Sequence, residues 1–355
     1  MSAPDPKVLK MAGRAVQSAV KTLAAGGDIL PEAAKDAMQE IMRGEASQAQ
    51  MGAYLALLNL DRCTPGVVHA CADVMRANAT PVEVPGDAPV VDIVGTGGDG
   101  QDTFNISTAA ALVVAGAGVA VVKHGNRAAS SKSGAADILE ALGARLELAA
   151  AEVPDVLSKS GFVFLFARSY HPAMKHVGPV RAQLGIRTIF NILGPLTNPA
   201  KPNCCCIGVF APRLGRLFAE VYKMLGMSRA LVVHGVEGLD ELSIAGPSKV
   251  WELCPDGNIK EYEVSPADFG LEAHPLSEVA GGTPEENAKE MRELLVGRGR
   301  AAVRDMVLMN AGASLYAAGK AADLKEGVNL AREAMTNGKA SAVIDNYVAA
   351  TATKP

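Results

Sequence analysis

The sequence predicts an α/β protein in two parts: a small N-terminal helical domain, and a larger α/β domain with a mostly parallel central sheet. Three observations predict it. Residues 1–80 carry helix signals but no glycine loop and no strand-like run. From Pro89 onward short apolar runs alternate with helical stretches, the signature of parallel strands covered by helices. Between residues 171 and 200 the alternation stops, in a segment carrying Pro172, Pro179, Pro195 and Pro199. We read that segment as a crossing back to the helical domain, one wall of a cleft. The expected division is 1–80 plus the crossing at about 171–200 for the helical domain, and 81–170 with 201–355 for the α/β domain. A chain of 355 residues suits two domains.

The elements follow in order. Lys7–Ala24 reads as a first helix, stopped by Gly26-Gly27. Pro31 opens a second to about Met42, and Ser47 caps a third through Leu60. Thr64-Pro65 supplies an N-cap and a first-turn proline for a fourth. Strands are expected at Val90–Val94, Val119–Val122, Phe162–Ala167, Cys205–Phe210 and Arg229–His234. Helical patterns at Ala109–Ala117, Ser133–Leu142, Ala150–Ser160 and Pro212–Gly226 lie between them. Lys249–Val264 reads as a hairpin turning at Pro255-Asp256-Gly257-Asn258. From about Pro284 the pattern is mostly helical.

Composition narrows the function classes. The net charge of −4 argues against a bulk nucleic-acid binder, and 4% aromatics with one Trp leave no stacking platform for bases. The longest strongly apolar run, Ala109–Val122, is too short to span a bilayer, and Met1–Asp5 lacks a signal-peptide core. A cytoplasmic enzyme is expected. The six cysteines include Cys204-Cys205-Cys206, whose side chains on a strand would point to alternate faces; no C-x-x-C pair occurs. Reduced thiols in a core strand are expected.

The chemistry centres on Gly95-Thr96-Gly97-Gly98-Asp99-Gly100, between a strand-like run and the hydroxyl-rich helix start Thr103, Asn105, Ser107, Thr108. A glycine turn leaves backbone N–H groups uncovered, and a helix start favours anions, so the stretch reads as a phosphate cradle. It also spells G-x-G-x-x-G. A dinucleotide site wants an acidic residue after the next strand. Here that strand leads into Lys123-His124-Gly125-Asn126-Arg127 and then Ser130-Ser131-Lys132-Ser133-Gly134, a cationic, hydroxyl-rich loop suited to diphosphate. His124 is expected to be a structural hydrogen-bonding residue. The pair Asp240-Glu241 follows the apolar run Leu231–Val233; an acidic surface turn and a Mg²⁺ site both fit it, and diphosphate loops favour the metal. Arg181 and Arg187 suit capture of a substrate carboxylate, although residue type leaves a surface salt bridge equally open. No G-x-S-x-G, H-E-x-x-H or P-loop motif occurs. Phosphates, Mg²⁺ and no nucleophile suggest transfer at a carbon whose leaving group is diphosphate.

Together these residues resemble the anthranilate phosphoribosyltransferase family. The likeness runs through Gly95–Asp99, Asn105–Thr108, Lys123–Arg127, Tyr170–Met174, Arg187–Asn191, Gly194–Pro199, Asp240-Glu241, Asn310-Ala311 and Glu326-Gly327, over nearly the whole chain. The resemblance implies a nucleoside phosphorylase/phosphoribosyltransferase-like fold. It implies that Gly95, Gly98, Asp99, Thr103, Asn105, Ser107 and Thr108 hold phosphoribosyl diphosphate, with Lys123, Asn126, Arg127, Ser130, Ser131 and Ala135 enclosing it. Ser107, Asp240 and Glu241 would bind Mg²⁺. Gly95, Asn126 and Arg181 would orient anthranilate, with Lys123 and Arg181 as catalytic residues. The implied reaction joins the anthranilate amine to ribose C1 in tryptophan biosynthesis. A homodimer through the helical domain and closure of that domain over the site are also implied. Ala135 stands where many members carry Ser, so the phosphate contact implied there falls to a backbone N–H. A nucleoside phosphorylase of the same fold class would not need Asp240-Glu241 or Arg181. A silent, nucleic-acid-binding relative would show a basic surface without the metal pair.

Overall fold

The computed structural model describes residues 13–86, 88–128 and 131–352. They divide into two compact units: one runs to Thr80 and takes in Tyr170–Thr197, the other holds Pro81–Ser169 and the chain from Asn198 onward.

The first unit is helical: α1 (Arg14–Ala24), α2 (Pro31–Arg43), α3 (Gln48–Leu57), α4 (Pro65–Ala77), α9 (Met174–Leu184) and α10 (Phe190–Leu193). Each start has a local cause. Pro31 and Pro65 occupy first-turn positions where no N–H is needed. Ser47 and Gln50 exchange side chain-to-backbone bonds in a capping box. Helix α3 stops short of the expected Leu60, because the Asn59 Oδ1 accepts from the N–H groups of Asp61 and Arg62 and starts a separate 3-10 turn. The first helix is described from Arg14 after Gly13; its expected start at Lys7 lies outside the described residues. Arg76 Nε donates to Leu196 O at 2.8 Å and Thr80 N–H to Tyr170 O at 2.8 Å, tying the crossing segment to the end of α4.

The second unit carries the sheet. Its elements are β1 (Val90–Gly95), α5 (Ile106–Gly116), β2 (Ala120–Gly125), α6 (Ala135–Ala141), α7 (Val153–Ser160), β3 (Phe162–Phe166) and the short α8 (Ala167–Tyr170). After the crossing come β4 (Cys204–Gly208), α11 (Arg213–Met224), β5 (Arg229–Gly235), β6 (Ser248–Leu253) and β7 (Ile259–Val264). Four helices close the chain: α12 (Pro284–Leu294), α13 (Ala301–Ala317), α14 (Leu324–Thr336) and α15 (Lys339–Thr351).

The seven strands run in the order β3-β2-β1-β4-β5-β6-β7. The first five are parallel, and the β6–β7 hairpin closes one edge antiparallel. Its turn falls where expected, with Gly257 at φ 80° and Asp256 Oδ1 accepting Asn258 N–H at 2.9 Å. Strand β4 ends two residues before the expected Phe210: the Phe210 N–H goes to Thr96 Oγ1, outside the ladder. All six cysteines are buried and unpaired, as expected. Helix α5 starts at Ile106, earlier than the alanine run suggested, and is buried on every side from Thr108 to Gly116. No described helix is long and apolar enough to cross a membrane.

Glycines allow a close crossing of α13 and α14. A Cβ on Gly327 of α14 would stand 2.3 Å from Gly312 O of α13. Gly327→Ala is therefore expected to cost about 1–3 kcal/mol and to lower Tm by several degrees. Gly178→Ala, where a Cβ meets nothing within 4 Å in α9, should leave Tm unchanged or raise it slightly in the same thermal melts.

Candidate active site

Strands β1 and β4 are neighbours, but the chain leaves them in opposite directions: β2 and β3 lie beyond β1, and β5 lies beyond β4. That makes the carboxyl ends of β1 and β4 a topological switch point, where open α/β sheets bind ligands. Gly95 and Gly208 face each other there in register. The loop after β5 is laid across both. A Cβ on Gly208 would stand 1.5 Å from Asp240 O, and one on Gly95 would stand 2.1 Å from Asp240 Oδ2. Two glycines at paired strand ends thus make the seat for Asp240.

The glycine loop closes on this seat. Gly97, Gly98 and Gly100 all have positive φ, between 73° and 77°, a region that L side chains avoid. The Gly97 N–H donates to Asp240 Oδ2 at 2.6 Å. The Ser107 N–H, in the first turn of α5, donates to Glu241 Oε1 at 3.1 Å. Lys123 Nζ donates to Ile93 O and, at 3.2 Å, to Ser107 Oγ. Burial pushes the Asp240 carboxyl up to about 7, helped by the neighbouring Asp99. Glu241 is raised well above the carboxylate range by burial, then by Asp240 and Asp99. Burial lowers Lys123 to about 8, against the pull of Asp92, Glu241 and Asp240.

These groups fit a Mg²⁺ ion. Glu241 Oε2 is buried with no hydrogen-bond partner, although its sister oxygen is satisfied. Ser107, Asp240 and Glu241 line one small cavity, and these three offer oxygen donors, as a hard cation requires. Among the described residues no group of three or more His, Cys, Asp or Glu side chains is placed to hold a metal ion. Mg²⁺ usually takes one or two carboxylates and completes its shell with substrate phosphates and water.

The second loop differs from the sequence reading. Lys123 and His124 were expected in a loop after a strand ending at Val122, but β2 runs on to Gly125 and pairs Lys123 with Phe164 and His124 with Leu165 of β3. The Lys123 ammonium finds its acceptors at the end of β1 and in α5, so the residue works from inside the sheet and is 1% exposed. Arg127 is engaged by the helix that follows the loop: its guanidinium meets Asp137 at 3.0 Å and Glu140 at 2.7 Å, both in α6. Asp137 Oδ2 also accepts the N–H groups of Ala128 and Gly134, drawing the two arms of the loop together.

The other expected site residues are distributed as follows. Asn126 and Ser131 are exposed, and Ala135 is the first residue of α6. Ser130 lies outside the described residues. Thr103 bridges to Ala280, and Thr108 is buried in α5 at 1% exposure. Arg181 belongs to the helical unit, on α9. Its guanidinium lies 5.3 Å from the centre of the Phe190 ring; burial lowers its pKa, and no described carboxylate pairs with it.

Sequence reasoning missed a buried pair that supports β1. Asp92 Oδ2 accepts from Asn198 Nδ2 at 2.8 Å, and the same amide donates to Val122 O at 2.8 Å. Asp92 Oδ1 accepts the His124 N–H at 3.3 Å. Burial raises Asp92 to about 6, against the pull of Asn198 and Lys123. The signal was a carboxylate inside the apolar run Val90–Val94, since a buried charge needs partners.

Comparisons with known proteins fit this geometry. Residues 17–79 match the helical bundle domain of the glycosyl transferase family, and residues 87–341 match its a/b domain. The chain is therefore a two-domain glycosyl transferase. The anthranilate phosphoribosyltransferase of Parvibaculum lavamentivorans is 49% identical over 94% of this chain and 96% of its own length. The crystal structure of the Thermus thermophilus enzyme superposes with a TM-score of 0.88 at 47% identity, covering 94% of this chain and 99% of that one. The Saccharomyces cerevisiae enzyme in complex with PRPP and Mg gives a TM-score of 0.88 at 30% identity, over 95% of this chain and 97% of that one. The chain belongs to the anthranilate phosphoribosyltransferase family.

Asn198→Leu would leave Asp92 Oδ2 and Val122 O without their donor in a dry interior. We expect a loss of about 2–5 kcal/mol, read as a lower midpoint in urea unfolding at unchanged m-value.

Proposed function

We propose a division of labour among these residues for the reaction of the family. That reaction transfers the phosphoribosyl group of 5-phosphoribosyl 1-diphosphate to the amine of anthranilate, giving N-(5-phosphoribosyl)anthranilate and diphosphate. It is a Mg²⁺-dependent step of tryptophan biosynthesis, and it is the activity of this chain. The observation that carries the residue assignment is the Asp240-Glu241 pair seated over Gly95 and Gly208 and reached by the N–H groups of Gly97 and Ser107.

Gly95, Gly98, Asp99, Thr103, Asn105, Ser107 and Thr108 line the glycine-loop side of the phosphoribosyl diphosphate site. Asn126, Arg127, Ser130, Ser131 and Ala135 supply the second loop, and Lys123 supplies a cation from within β2. Thr108 acts through its backbone, its side chain being buried. Ser107, Asp240 and Glu241 hold Mg²⁺, which when bound neutralises charge on the departing diphosphate. Gly95, Asn126 and Arg181 orient anthranilate, with Arg181 taking its carboxylate. Support for Arg181 is a half-buried cation with an aromatic neighbour and no described counter-ion.

An aryl amine is neutral near pH 7, so its lone pair needs little activation by a base to attack C1, and the nitrogen gives up its proton to water or to the released diphosphate as the C1–N bond forms. The barrier is cleavage of the C1–oxygen bond through an oxocarbenium-like state. Fixed donors aimed at the leaving diphosphate lower that barrier because they need no reorganisation as charge develops. Lys123 is suited to this role, because Ile93 O and Ser107 Oγ hold its ammonium in place. Alignment of the amine with C1 supplies the remaining entropic advantage. A homodimer through the helical domain and a cytoplasmic location belong to the same proposal and rest on the family resemblance.

Mixing the protein with anthranilate, phosphoribosyl diphosphate and Mg²⁺ should quench anthranilate fluorescence; folded protein that leaves the signal intact would refute the activity. Asp240→Asn and Glu241→Gln should each lower kcat about 10²-fold with little change in the KM for anthranilate. Unchanged turnover at saturating Mg²⁺ would remove the metal assignment. Arg181→Ala should raise the KM for anthranilate about tenfold and leave that for phosphoribosyl diphosphate within twofold, as steady-state kinetics would reveal.

A further inference from the structure

We propose that Asn287 is a positioning residue that fixes which way round the Asn105 amide faces the phosphate loop. The inference rests on the reading above that Asn105 contacts phosphoribosyl diphosphate. Asn287 sits in α12, whose start is set by the Thr283–Glu286 capping box. It shares a buried face with Ala288, Met291 and Leu294 and is itself 2% exposed. An amide in such an apolar stripe is costly unless fully hydrogen-bonded.

Its bonds form one continuous chain. The Gly282 N–H donates to Asn287 Oδ1 at 2.8 Å, and Asn287 Nδ2 donates to Asn105 Oδ1 at 2.9 Å. Asn105 Nδ2 in turn donates to Ser133 O at 2.9 Å, while Ser133 Oγ donates to Asn105 Oδ1 at 3.2 Å. Both ends are backbone groups of fixed polarity: an N–H can only donate and a C=O can only accept. Neither amide between them can turn round without setting N–H against N–H or oxygen against oxygen. Asn105 Oδ1 is satisfied by two donors, so what its side chain retains for a ligand is one N–H, the polarity an anion requires.

Asn287 is not needed to hold the backbone in register. Phe104 N–H donates to Val279 O at 2.8 Å, and Gly281 N–H donates to Asp102 O at 2.7 Å. The strap before α12 is therefore already bonded to the exit of the glycine loop. Asn287 adds the orientation of one side chain.

Asn287→Asp tests this with an isosteric change. The carboxylate still accepts from Gly282 but presents oxygen to Asn105, which must turn its own oxygen toward Ser133 O and the ligand. Expected is a rise of at least tenfold in the KM for phosphoribosyl diphosphate, matched by its Kd in calorimetric titration with Mg²⁺. The KM for anthranilate should stay within twofold and Tm within a few degrees. Asn287→Ala, which frees the amide without reversing it, should give a rise of a few-fold and serves if the aspartate variant does not fold. In an Asn105→Ala background, adding Asn287→Asp should change the KM for phosphoribosyl diphosphate less than twofold. If Asn105→Ala weakens phosphoribosyl diphosphate but neither Asn287 variant does, the positioning role is wrong and the Asn105 contact stands. If Asn105→Ala has no effect, both fall. Equal losses for the two substrates with a large drop in Tm would make Asn287 merely structural and overturn the proposal.

Discussion

The seat of Asp240 on Gly95 and Gly208 is the constraint on which the rest of the site depends. Two parallel strands from different halves of the sheet end side by side in glycine, and the third loop enters the space their missing side chains leave. With the backbone of Asp240 pressed onto β4, its carboxylate meets the Gly97 N–H and the next carboxylate reaches Ser107. The glycine loop, the start of α5 and the acidic loop are thereby locked together before any ligand arrives. A methyl group at either glycine would push them apart.

That packing concentrates negative charge in a poorly solvated place. Asp240 and Glu241 are both raised by burial and by their carboxylate neighbours, while Lys123, the cation nearest them, is lowered by burial. A divalent ion relieves this imbalance, and the unpartnered Glu241 Oε2 is an oxygen left for it. The Asp92–Asn198 pair on the other side of Lys123 belongs to the same electrostatic arrangement. Asp92 pulls the Lys123 pKa upward from within β1, and the pair fixes the backbone of β2 on either side of the lysine. Fixed donors and acceptors of this kind cost nothing to reorganise during bond cleavage, which suits a reaction whose difficulty lies in the departure of diphosphate.

The motifs with unusual composition were legible in the sequence. Glycines before a hydroxyl-rich helix start, a cationic stretch after the next strand and an Asp-Glu pair after a later one each announce their chemistry through residue type. The parallel sheet followed from runs such as Val90–Val94 and Phe162–Phe166, because strands buried on both faces read as continuous apolar segments. Less legible were residues whose meaning depends on a distant partner. Asp92 and Asn198 are 106 positions apart, and Asn105 and Asn287 are 182 apart. Lys123 read as a loop cation because its neighbours are loop-like, whereas pairing with β3 extends the strand beneath it.

By itself the sequence determined which chemical groups this protein brings to its reaction and in what order they follow one another along the chain. Local rules suffice for that: turns need glycine, helix starts need caps, and diphosphate needs cations and free N–H groups. Only the tertiary structure decided which of those groups meet and which are already engaged. It gave Arg127 to Asp137 and Glu140, turned Lys123 inward, left Arg181 without a described counter-ion and set the polarity of Asn105 from a backbone N–H far along the chain. Burial and partner choice are properties of the packed chain, and no local pattern of residue types contains them.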